Sequence, residues 1–311
     1  MKLQKWIQSA ICVIALMVFA PFSLQAFVMP IDDESESSDD ESLNIVVIFA
    51  HPDDGDVKMG ATAAMMAEAG HRVKFVSITN GSAGHHELGG GNLGSIRRAE
   101  AEEAARRMGI DKYVVMDNND GELEPDLHIR MDVIREIRNW DADVVFGLRP
   151  WDYHPDHRYA GVLVQDAAYM VGVPNIASDT PPLEQNPVFF YLSDRFEKPY
   201  PFEHDVVVGI DSHIEVKVDA MDAHVSQMYE WLPWIGGYLD QVPDSPEERR
   251  EWLGDRRRGG VSGDQLEGLI KWYGEEKARS FQFAESFEIC EYGRTPSRED
   301  ILRIFPMLPR D

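Results

Sequence analysis

The stretch that decides the fold is VVIFAHPDDGDVKMG, residues 46–60. An apolar run of strand type ends at Ala50, and a histidine, a proline and two aspartates follow it at once. In open α/β sheets, ligands bind at the edge where the strands have their carboxyl ends. We therefore expect His51, Asp53 and Asp54 to lie where such a sheet holds a metal ion or transfers protons.

Strand and helix patterns alternate outward from this stretch, which indicates a mostly parallel sheet with helices on both faces. Strands are predicted at residues 43–50, 72–79, 112–116, 142–148, 186–193 and 204–211, and helices at 57–70, 95–109, 127–140, 158–170 and 215–231. Ser95 is the predicted N-cap of the second helix, and Gly109 is its predicted stop. The pattern predicts a Rossmann-like α/β domain at residues 43–311 with a C-terminal extension, in which 233–263 is an exposed excursion.

The first residues have the layout of a secretory signal peptide, predicted at 1–26. Lys2 and Lys5 precede an apolar stretch that is short for a membrane span, and Ala26 is a small residue suited to cleavage. An uncleaved anchor is the alternative. Residues 27–42 are a predicted disordered linker, with seven acidic side chains between Asp32 and Ser42. This layout predicts a periplasmic or secreted protein.

Composition limits the class of protein and its partners. The chain has 311 residues, 43% of them hydrophobic and 27% charged, as in a globular protein with an ample core. Its formal net charge of −25 argues against nucleic acid as a partner, because binding phosphates requires clusters of Lys and Arg. Cys12 lies in the predicted signal peptide, which leaves Cys290 without an intramolecular disulfide partner in the mature chain.

A second dense polar cluster, DYHPDHR at residues 152–158, also follows an apolar strand. In a parallel sheet, both clusters fall on the same edge. His51 and Asp54 from one loop and His157 from the other then form the two-histidine, one-carboxylate set that a catalytic zinc ion takes. Ferrous iron would also suit this set, and Asp53 and His154 remain as proton carriers.

The two motifs AHPDD, residues 50–54, and HPDH, residues 154–157, resemble those of the LmbE/PIG-L family of metal-dependent N-deacetylases. These enzymes remove acetyl groups from molecules that contain N-acetylglucosamine. The resemblance covers about residues 44–228, with further matches in TNGSAGH (79–85), RRAEAEEAARRMGI (97–110), NDGEL (119–123) and KVDAMDAHVSQ (217–227). The expected activity is therefore deacetylation of a small N-acetylated sugar or glycoconjugate, and the oligomeric state stays open.

The resemblance also implies a role for each matching residue. His51, Asp54 and His157 would bind the metal, Zn²⁺ or alternatively Fe²⁺. Asp53 would be the general base, and His154 would stabilise the oxyanion and protonate the leaving nitrogen. Asp156 would orient His154 and raise its pKa, and Arg97 would bind substrate. The alternatives are an amidase that acts on another amide and a carbohydrate-binding protein without turnover.

This sequence departs from the family pattern at one position. The family usually reads His-Pro-Asp-Asp-Glu, whereas the fifth residue here is Gly55, followed by Asp56. Asp56 is the predicted N-cap of the first helix. His224, predicted in mid-helix, matches a family position near the site, and a purely structural role is the alternative. The change at Gly55 puts the support of the metal ligands in question but not the ligand set.

Two further segments have open interpretations. GGGNLG, residues 89–94, matches the dinucleotide fingerprint G-x-G-x-x-G, but a long polar loop separates it from the preceding strand, so we reject that function. His85 and His86 lie in this loop. They could reach the site, and the alternative is that they are exposed to solvent. MYEWLPWIGGYLD, residues 228–240, carries two Trp and two Tyr, which would suit a wall for a sugar, a buried core or a subunit contact.

Overall fold

The computed structural model describes residues 42–310. The predicted signal peptide and all but the last residue of the predicted linker lie outside this range. Within the described part of the chain, every helix is too short or too polar to cross a membrane.

The first half alternates strand and helix as predicted. Its elements are β1 (Asn44–Phe49), α1 (Asp54–Glu68), β2 (Arg72–Thr79), α2 (Gly90–Met108), β3 (Lys112–Asn118), α3 (Leu127–Asn139), β4 (Val144–Gly147), α4 (Pro155–Met170) and β5 (Val188–Leu192). Gly109 ends α2 in the left-handed conformation, with φ of 74°. The prediction for Ser95 is wrong, because α2 begins five residues earlier and the Ser95 hydroxyl donates to the carbonyl of Gly91 inside it.

These strands form most of a seven-stranded sheet of order β3-β2-β1-β4 followed by β5 and two later strands, and β1 to β5 are parallel. Strand β1 is central, and Ile45 to Phe49 are fully buried, which explains its unbroken apolar run. Right-handed crossovers place α1 and α2 on one face and α3 on the other. Consistent with this, α1 and α2 pack against the later helix α5 (Ile214–Ala223), whereas α3 packs against α4. The predicted α/β fold is confirmed.

The second half adds strands and several short helices. Besides α5, its elements are β6 (Val206–Gly209), a π-helix (Ser226–Trp231), α6 (Leu232–Ile235), a 3₁₀ helix (Leu239–Gln241), α7 (Pro246–Arg257), α8 (Gly263–Tyr273), α9 (Glu275–Ala278), β7 (Ala284–Ile289) and α10 (Arg298–Ile304). Strand β7 lies between β5 and β6, antiparallel to both. Sequence patterns missed β7 because buried Glu285 and Glu288 interrupt its apolar pattern, each neutralised by a partner from a distant element.

Two predictions for this half need correction. The helix predicted at 215–231 ends at Ala223, and the π-helix follows after His224, which has ψ of 62°. The segment 233–263 is not simply an exposed excursion, because it contains α7, and Leu253 of α7 is buried in a cluster with Met228 and Tyr229.

Helix α1 is kinked, and a carboxylate from β7 caps its second half. Met59 has φ of −147°, which breaks the helical ladder. The Glu285 side chain accepts from the backbone N–H groups of Ala61 and Thr62, at 3.3 and 2.8 Å. It also pairs with Lys217 of α5 at 2.7 Å, so one buried carboxylate joins α1, α5 and the sheet.

Candidate metal centre and active site

The site lies at the carboxyl ends of β1 and β4. These strands are neighbours in the sheet, yet their chain connections run in opposite directions across it, from β1 to β2 on one side and from β4 to β5 on the other. Such a switch point leaves a crevice between the loops that follow the two strands. The loop after β1 carries His51 to Asp54, and the start of α4 carries His154 to His157, so the structure brings the two His-Pro-Asp segments together.

The three predicted metal ligands converge on one point. Nδ1 of His51 lies 3.1 Å from Nε2 of His157, and Nε2 of His157 lies 3.3 Å from Oδ1 of Asp54. Nδ1 of His51 and Oδ2 of Asp54 are 3.6 Å apart. Ligand atoms at about 2.0–2.1 Å from a tetrahedral zinc ion are separated by roughly 3.3 Å, so this donor set fits such an ion.

A carboxylate stands behind each of these imidazoles. Nε2 of His51 lies 3.1 Å from Asp120 and 3.2 Å from Asp156. Nδ1 of His157 lies 3.1 Å from Asp152, at an ion-pair distance but without the angle of a hydrogen bond. Carboxylates in this position leave the opposite ring nitrogen free for a metal and orient the ring. Asp120 and Asp152 stand in the motifs quoted above, but only the fold shows which histidine each one faces.

Two other groups of side chains could also hold a metal ion. Ring nitrogens of His51, His154 and His157 all lie within 4.8 Å of one another. The same holds for donor atoms of His51, Asp120 and Asp156. We favour the set with Asp54, because its separations of 3.1 to 3.6 Å match those around one ion more closely.

Charge in this cluster is strongly coupled. Burial alone would lower the pKa of His51, but Asp120, Asp156 and Asp54 together raise it well above its ordinary value. Burial also opposes protonation of His157, yet Asp54 and Asp152 raise the pKa of His157 to about 9. Conversely, the two imidazoles hold the pKa of Asp54 well below its usual range despite burial. Four carboxylates around two imidazoles form a negative site suited to a cation.

Asp53 and Arg97 face each other beside the ligands. An Arg97 guanidinium N–H donates to Oδ1 of Asp53 at 2.8 Å, and the Arg97 side chain is only 2% exposed. The same guanidinium approaches the carbonyls of Pro52 and Gly81 at 3.4 and 3.5 Å. Arg97 lines the cavity, as expected of a residue that binds substrate, but its closest partner is the predicted base.

His154 is half-buried, and its tautomer is assigned by a backbone hydrogen bond. The N–H of Asp156 donates to Nδ1 of His154 at 3.2 Å, so the ring carries its proton on Nε2. Burial and the charges of His51 and His157 lower the pKa of His154, and the opposing effect of Asp156 is smaller. The ring is therefore a neutral hydrogen-bond donor.

A cavity of about 420 Å³ opens above these residues. This volume is within the usual range for a small-molecule site, about 300–1,000 Å³. Its polar end contains His51, Asp53, Asp54, His154 and His157, and its other walls include Lys58, Tyr153, Gln227, Trp231, Ile235 and Arg257. Trp231 and Ile235 belong to the segment 228–240, and they lie on the cavity wall, which agrees with its interpretation as a wall for a ligand. The sequence did not indicate Lys58 or Arg257 as wall residues, because their approach to the site depends on the tertiary fold.

The sequence of this chain is similar to those of known deacetylases. A profile of the PIG-L family, described as GlcNAc-PI de-N-acetylase, matches residues 46–168. Diacetylchitobiose deacetylase of Thermococcus kodakarensis is 30% identical over 240 residues, which span 70% of this chain and 86% of that protein. The chain belongs to the PIG-L family.

Solved structures agree with this assignment. The N,N′-diacetylchitobiose deacetylase from Pyrococcus horikoshii, complexed with its inhibitor MPG, has a TM-score of 0.59 and 26% identity, covering 83% of this chain and 88% of that one. The 4-carboxy-2-hydroxymuconate hydratase GalB from Pseudomonas putida has a TM-score of 0.62 at 19% identity, covering 82% and 98%. The second likeness shows a shared fold alone, and fold by itself does not determine the reaction.

The predicted role of Asp156 in the PIG-L pattern needs correction. Its carboxylate does not orient the His154 ring, because it contacts His51 at 3.2 Å and accepts from the backbone N–H groups of Gly121 and Leu123 at 2.7 and 3.3 Å. Asp156 is fully buried as the second residue of α4. It therefore supports a predicted metal ligand.

The departure from the PIG-L pattern at Gly55 has a steric reason. A Cβ atom at Gly55 would lie 2.3 Å from Cε1 of Phe49 and 2.8 Å from the ring of Phe75. These rings pack edge to face with each other and with Tyr113, at centroid distances of 5.4 to 5.7 Å. An aromatic cluster thus fills the space that a side chain at this position would need.

The prediction that Asp56 is an N-cap is also wrong. Helix α1 begins at Asp54, so Asp56 lies inside its first turn and is fully buried. Its Oδ2 accepts from the Tyr113 hydroxyl at 2.9 Å and lies 3.3 Å from Nε2 of His224. His224 is fully buried and outside the cavity wall, which favours the structural interpretation.

Proposed function

We propose that this PIG-L protein hydrolyses the N-acetyl group of an N-acetylglucosamine-type sugar or sugar conjugate. The observation that carries the proposal is the convergence of Nδ1 of His51, Oδ of Asp54 and Nε2 of His157, with Asp53 and His154 beside them in one cavity. The family profile and the 30% identical deacetylase support the same reaction class.

The proposed metal is Zn²⁺, with Fe²⁺ as the alternative, because two imidazoles and one carboxylate suit both. When bound, such an ion acts as a Lewis acid that polarises the amide carbonyl and makes water a stronger nucleophile. His51, Asp54 and His157 would hold it. Asp120, Asp156 and Asp152 would keep the two imidazoles oriented.

The remaining steps belong to the chain's own side chains. Asp53 takes a proton from the attacking water, and the Arg97 contact at 2.8 Å holds its carboxylate in position. The N–H at Nε2 of His154 donates to the oxygen that gains negative charge as the carbonyl carbon becomes tetrahedral. The proton held by Asp53 then passes to the leaving nitrogen, a role first expected of His154, because neutral His154 keeps its Nε2 proton as an oxyanion donor. Acetate and the free amine are released.

The test is acetate release by zinc-loaded protein from N-acetylglucosamine and N,N′-diacetylchitobiose, with an Asp53→Asn variant as the inactive control. We expect equimolar acetate and free amine from the wild type. Binding of these sugars without acetate release would indicate a carbohydrate-binding protein. Release from other amides, with neither binding nor turnover of the sugars, would indicate an amidase with another substrate.

We also propose that the protein acts in the periplasm or outside the cell, because Met1 to Ala26 have the layout of a secretory signal. Cell fractionation and N-terminal sequencing of the mature protein test this. A cytoplasmic protein that retains Met1 would contradict it.

A further inference from the structure

Four rings from two separate segments stack on one another beside the cavity. His85 stacks on His86 with centroids 4.6 Å apart and planes 20° apart. His86 stacks on Trp234 at 5.1 Å and 9°, and Trp234 stacks on Trp231 at 5.5 Å and 19°. We call these four residues the aromatic column. It joins the loop after β2 to the π-helix and α6.

The column is anchored at its far end. Nε2 of His85 lies 2.9 Å from the carboxylate of Glu230, and Nδ1 of His85 accepts from the backbone N–H groups of Glu87 and Leu88. The side-chain amide of Gln227 also donates to the carbonyl of Gly84 at 3.0 Å, which ties the same two segments together. Both ring nitrogens of His85 are engaged, so this ring is fixed.

His86 contributes to the column mainly through its ring faces. Its Nδ1 is buried and has no hydrogen-bond partner among the described residues, whereas both of its faces are covered by neighbouring rings. Burial of an unpaired imidazole nitrogen is unfavourable. Because no hydrogen bond explains why Nδ1 of His86 is buried, we attribute the position of His86 to ring stacking, which holds Trp234 and through it Trp231.

Of the four rings, Trp231 is part of the cavity wall, and the other three are not. Leu232 and Ile235 line the same wall, and Ile235 is 60% exposed. This apolar wall and the metal-binding cluster belong to one cavity, so a ligand can touch both. Rigid aromatic side chains with open apolar surface are typical of sites for amphipathic ligands. A sugar is such a ligand, because its ring has an apolar face.

We infer that Trp231, held in place by the aromatic column, is a platform for a second pyranose ring next to the one that loses its acetyl group. The inference rests on the proposed function and extends it, because it makes an N-acetylated di- or oligosaccharide the preferred substrate over a monosaccharide. Trp231 would contact the apolar C–H face of that ring. His86 is a positioning residue that acts through Trp234.

The first test compares Trp231→Ala with wild type on N-acetylglucosamine and N,N′-diacetylchitobiose. We expect kcat/KM for the disaccharide to fall about 10- to 100-fold, mostly through KM, because one stacked ring contact is lost. For the monosaccharide the change should be within about three-fold. Trp231→Leu, which keeps apolar volume, should give the same split if Trp231→Ala does not fold. Equal losses on the two sugars would overturn the platform.

The second test separates positioning from general structure. His86→Ala should raise KM for the disaccharide, whereas His86→Phe, which restores a ring, should bring KM back towards wild type. Tyr292→Ala is the matched control, because Tyr292 is 58% exposed and outside the cavity wall. If His86→Phe is as impaired as His86→Ala, ring stacking is not what positions the platform.

A third measurement keeps this inference separate from the proposed function. Titration calorimetry on zinc-loaded Asp53→Asn protein, with and without Trp231→Ala, measures disaccharide binding in the absence of turnover. Weaker binding in the double variant supports the platform even if the wild type releases no acetate, in which case only the proposed reaction fails. Equal binding by the two proteins, or none by either, would overturn the platform.

Discussion

At the scale of single residues, the site depends on how two neighbouring aspartates divide their roles. Asp54 points at two imidazoles, and Asp53 points at Arg97, although they are adjacent in the chain. They separate because Asp53 precedes α1 with non-helical backbone, at φ of 176° and ψ of −18°, and Asp54 is the first residue of α1. The two side chains therefore leave the backbone in different directions.

Asp53→Asn should retain the metal and lose about 10²–10⁴ in kcat, because an amide preserves shape and still accepts from Arg97 but cannot take a proton. Elemental analysis and acetate release on the same preparation measure both quantities. Loss of the metal in this variant would mean that Asp53, rather than Asp54, supplies the ligand oxygen.

Asp120→Asn should weaken metal binding about 10- to 100-fold, because the amide no longer supports His51 as a carboxylate does. Competition with a chelator of known affinity measures the change. The matched control is Asp244→Asn, an exposed aspartate outside the cavity wall, which should bind metal like the wild type. Unchanged affinity in Asp120→Asn would remove Asp120 from the support of the ligand.

Gly55→Ala should destabilise the protein by about 1–3 kcal/mol, because the new methyl group would lie 2.3 Å from the Phe49 ring. Leucine lacks the ring atoms that make this contact, so Phe49→Leu should partly relieve the cost. Urea unfolding of both single variants and the double variant measures the coupling. Strictly additive free energies would show that the cluster is not what requires glycine.

At the scale of elements, helix α1 is held by a side chain more than 200 residues away in the chain. The kink at Met59 exposes N–H groups in the middle of the helix, and Glu285 of β7 accepts from them. The same carboxylate neutralises Lys217 of α5, so β7, the last strand in the chain, also fixes the helix that begins at the proposed metal ligand Asp54.

Glu285→Gln should cost about 3 kcal/mol of unfolding free energy, because it leaves the largely buried Lys217 ammonium without its counter-charge. The control is Glu275→Gln, which breaks the exposed pair with Arg279 and should cost below about 1 kcal/mol. Equal effects of the two substitutions in urea unfolding would show that the buried carboxylate does not stabilise the junction of these elements.

At the scale of the whole molecule, the proposed metal would link parts of the chain that are far apart in sequence. Its proposed ligands come from the loop after β1 and from the start of α4, about a hundred residues later. An ion that binds only the folded protein stabilises it by RT ln(1 + [L]/Kd), about 2.7 kcal/mol at a hundred times Kd. Without the metal, the site also confines four carboxylates and two imidazoles in one small volume.

Removing the metal with a chelator should therefore lower the Tm, and adding Zn²⁺ should restore it. In His157→Ala, which lacks one ligand, the Tm should not respond to either treatment, and elemental analysis should show little bound metal. Differential scanning calorimetry of the two proteins measures the shifts. A His157→Ala variant with full metal content and a normal zinc-dependent shift would contradict the assigned ligand set.

Much of this molecule was predictable because its signals are local. The apolar run before His51 and the alternation of strands and helices depend on neighbouring residues, and they predicted the parallel sheet and the meeting of the two His-Pro-Asp segments. The capping of α2 by Gly109 is local too. Ser95 was misassigned because the preceding glycine-rich segment looked like a loop, whereas its first turn is helical from Gly90.

The sequence by itself determined the fold class and the donors at the sheet edge, because periodicity and strand ends are properties of adjacent residues. Only the tertiary structure decided that Asp156 supports His51 instead of His154, and that Arg97 faces Asp53. It also placed β7 within the sheet and Trp231 on the cavity wall. These contacts join residues far apart in the chain, and side-chain direction and the packing of distant elements decide them, which no short stretch of sequence encodes.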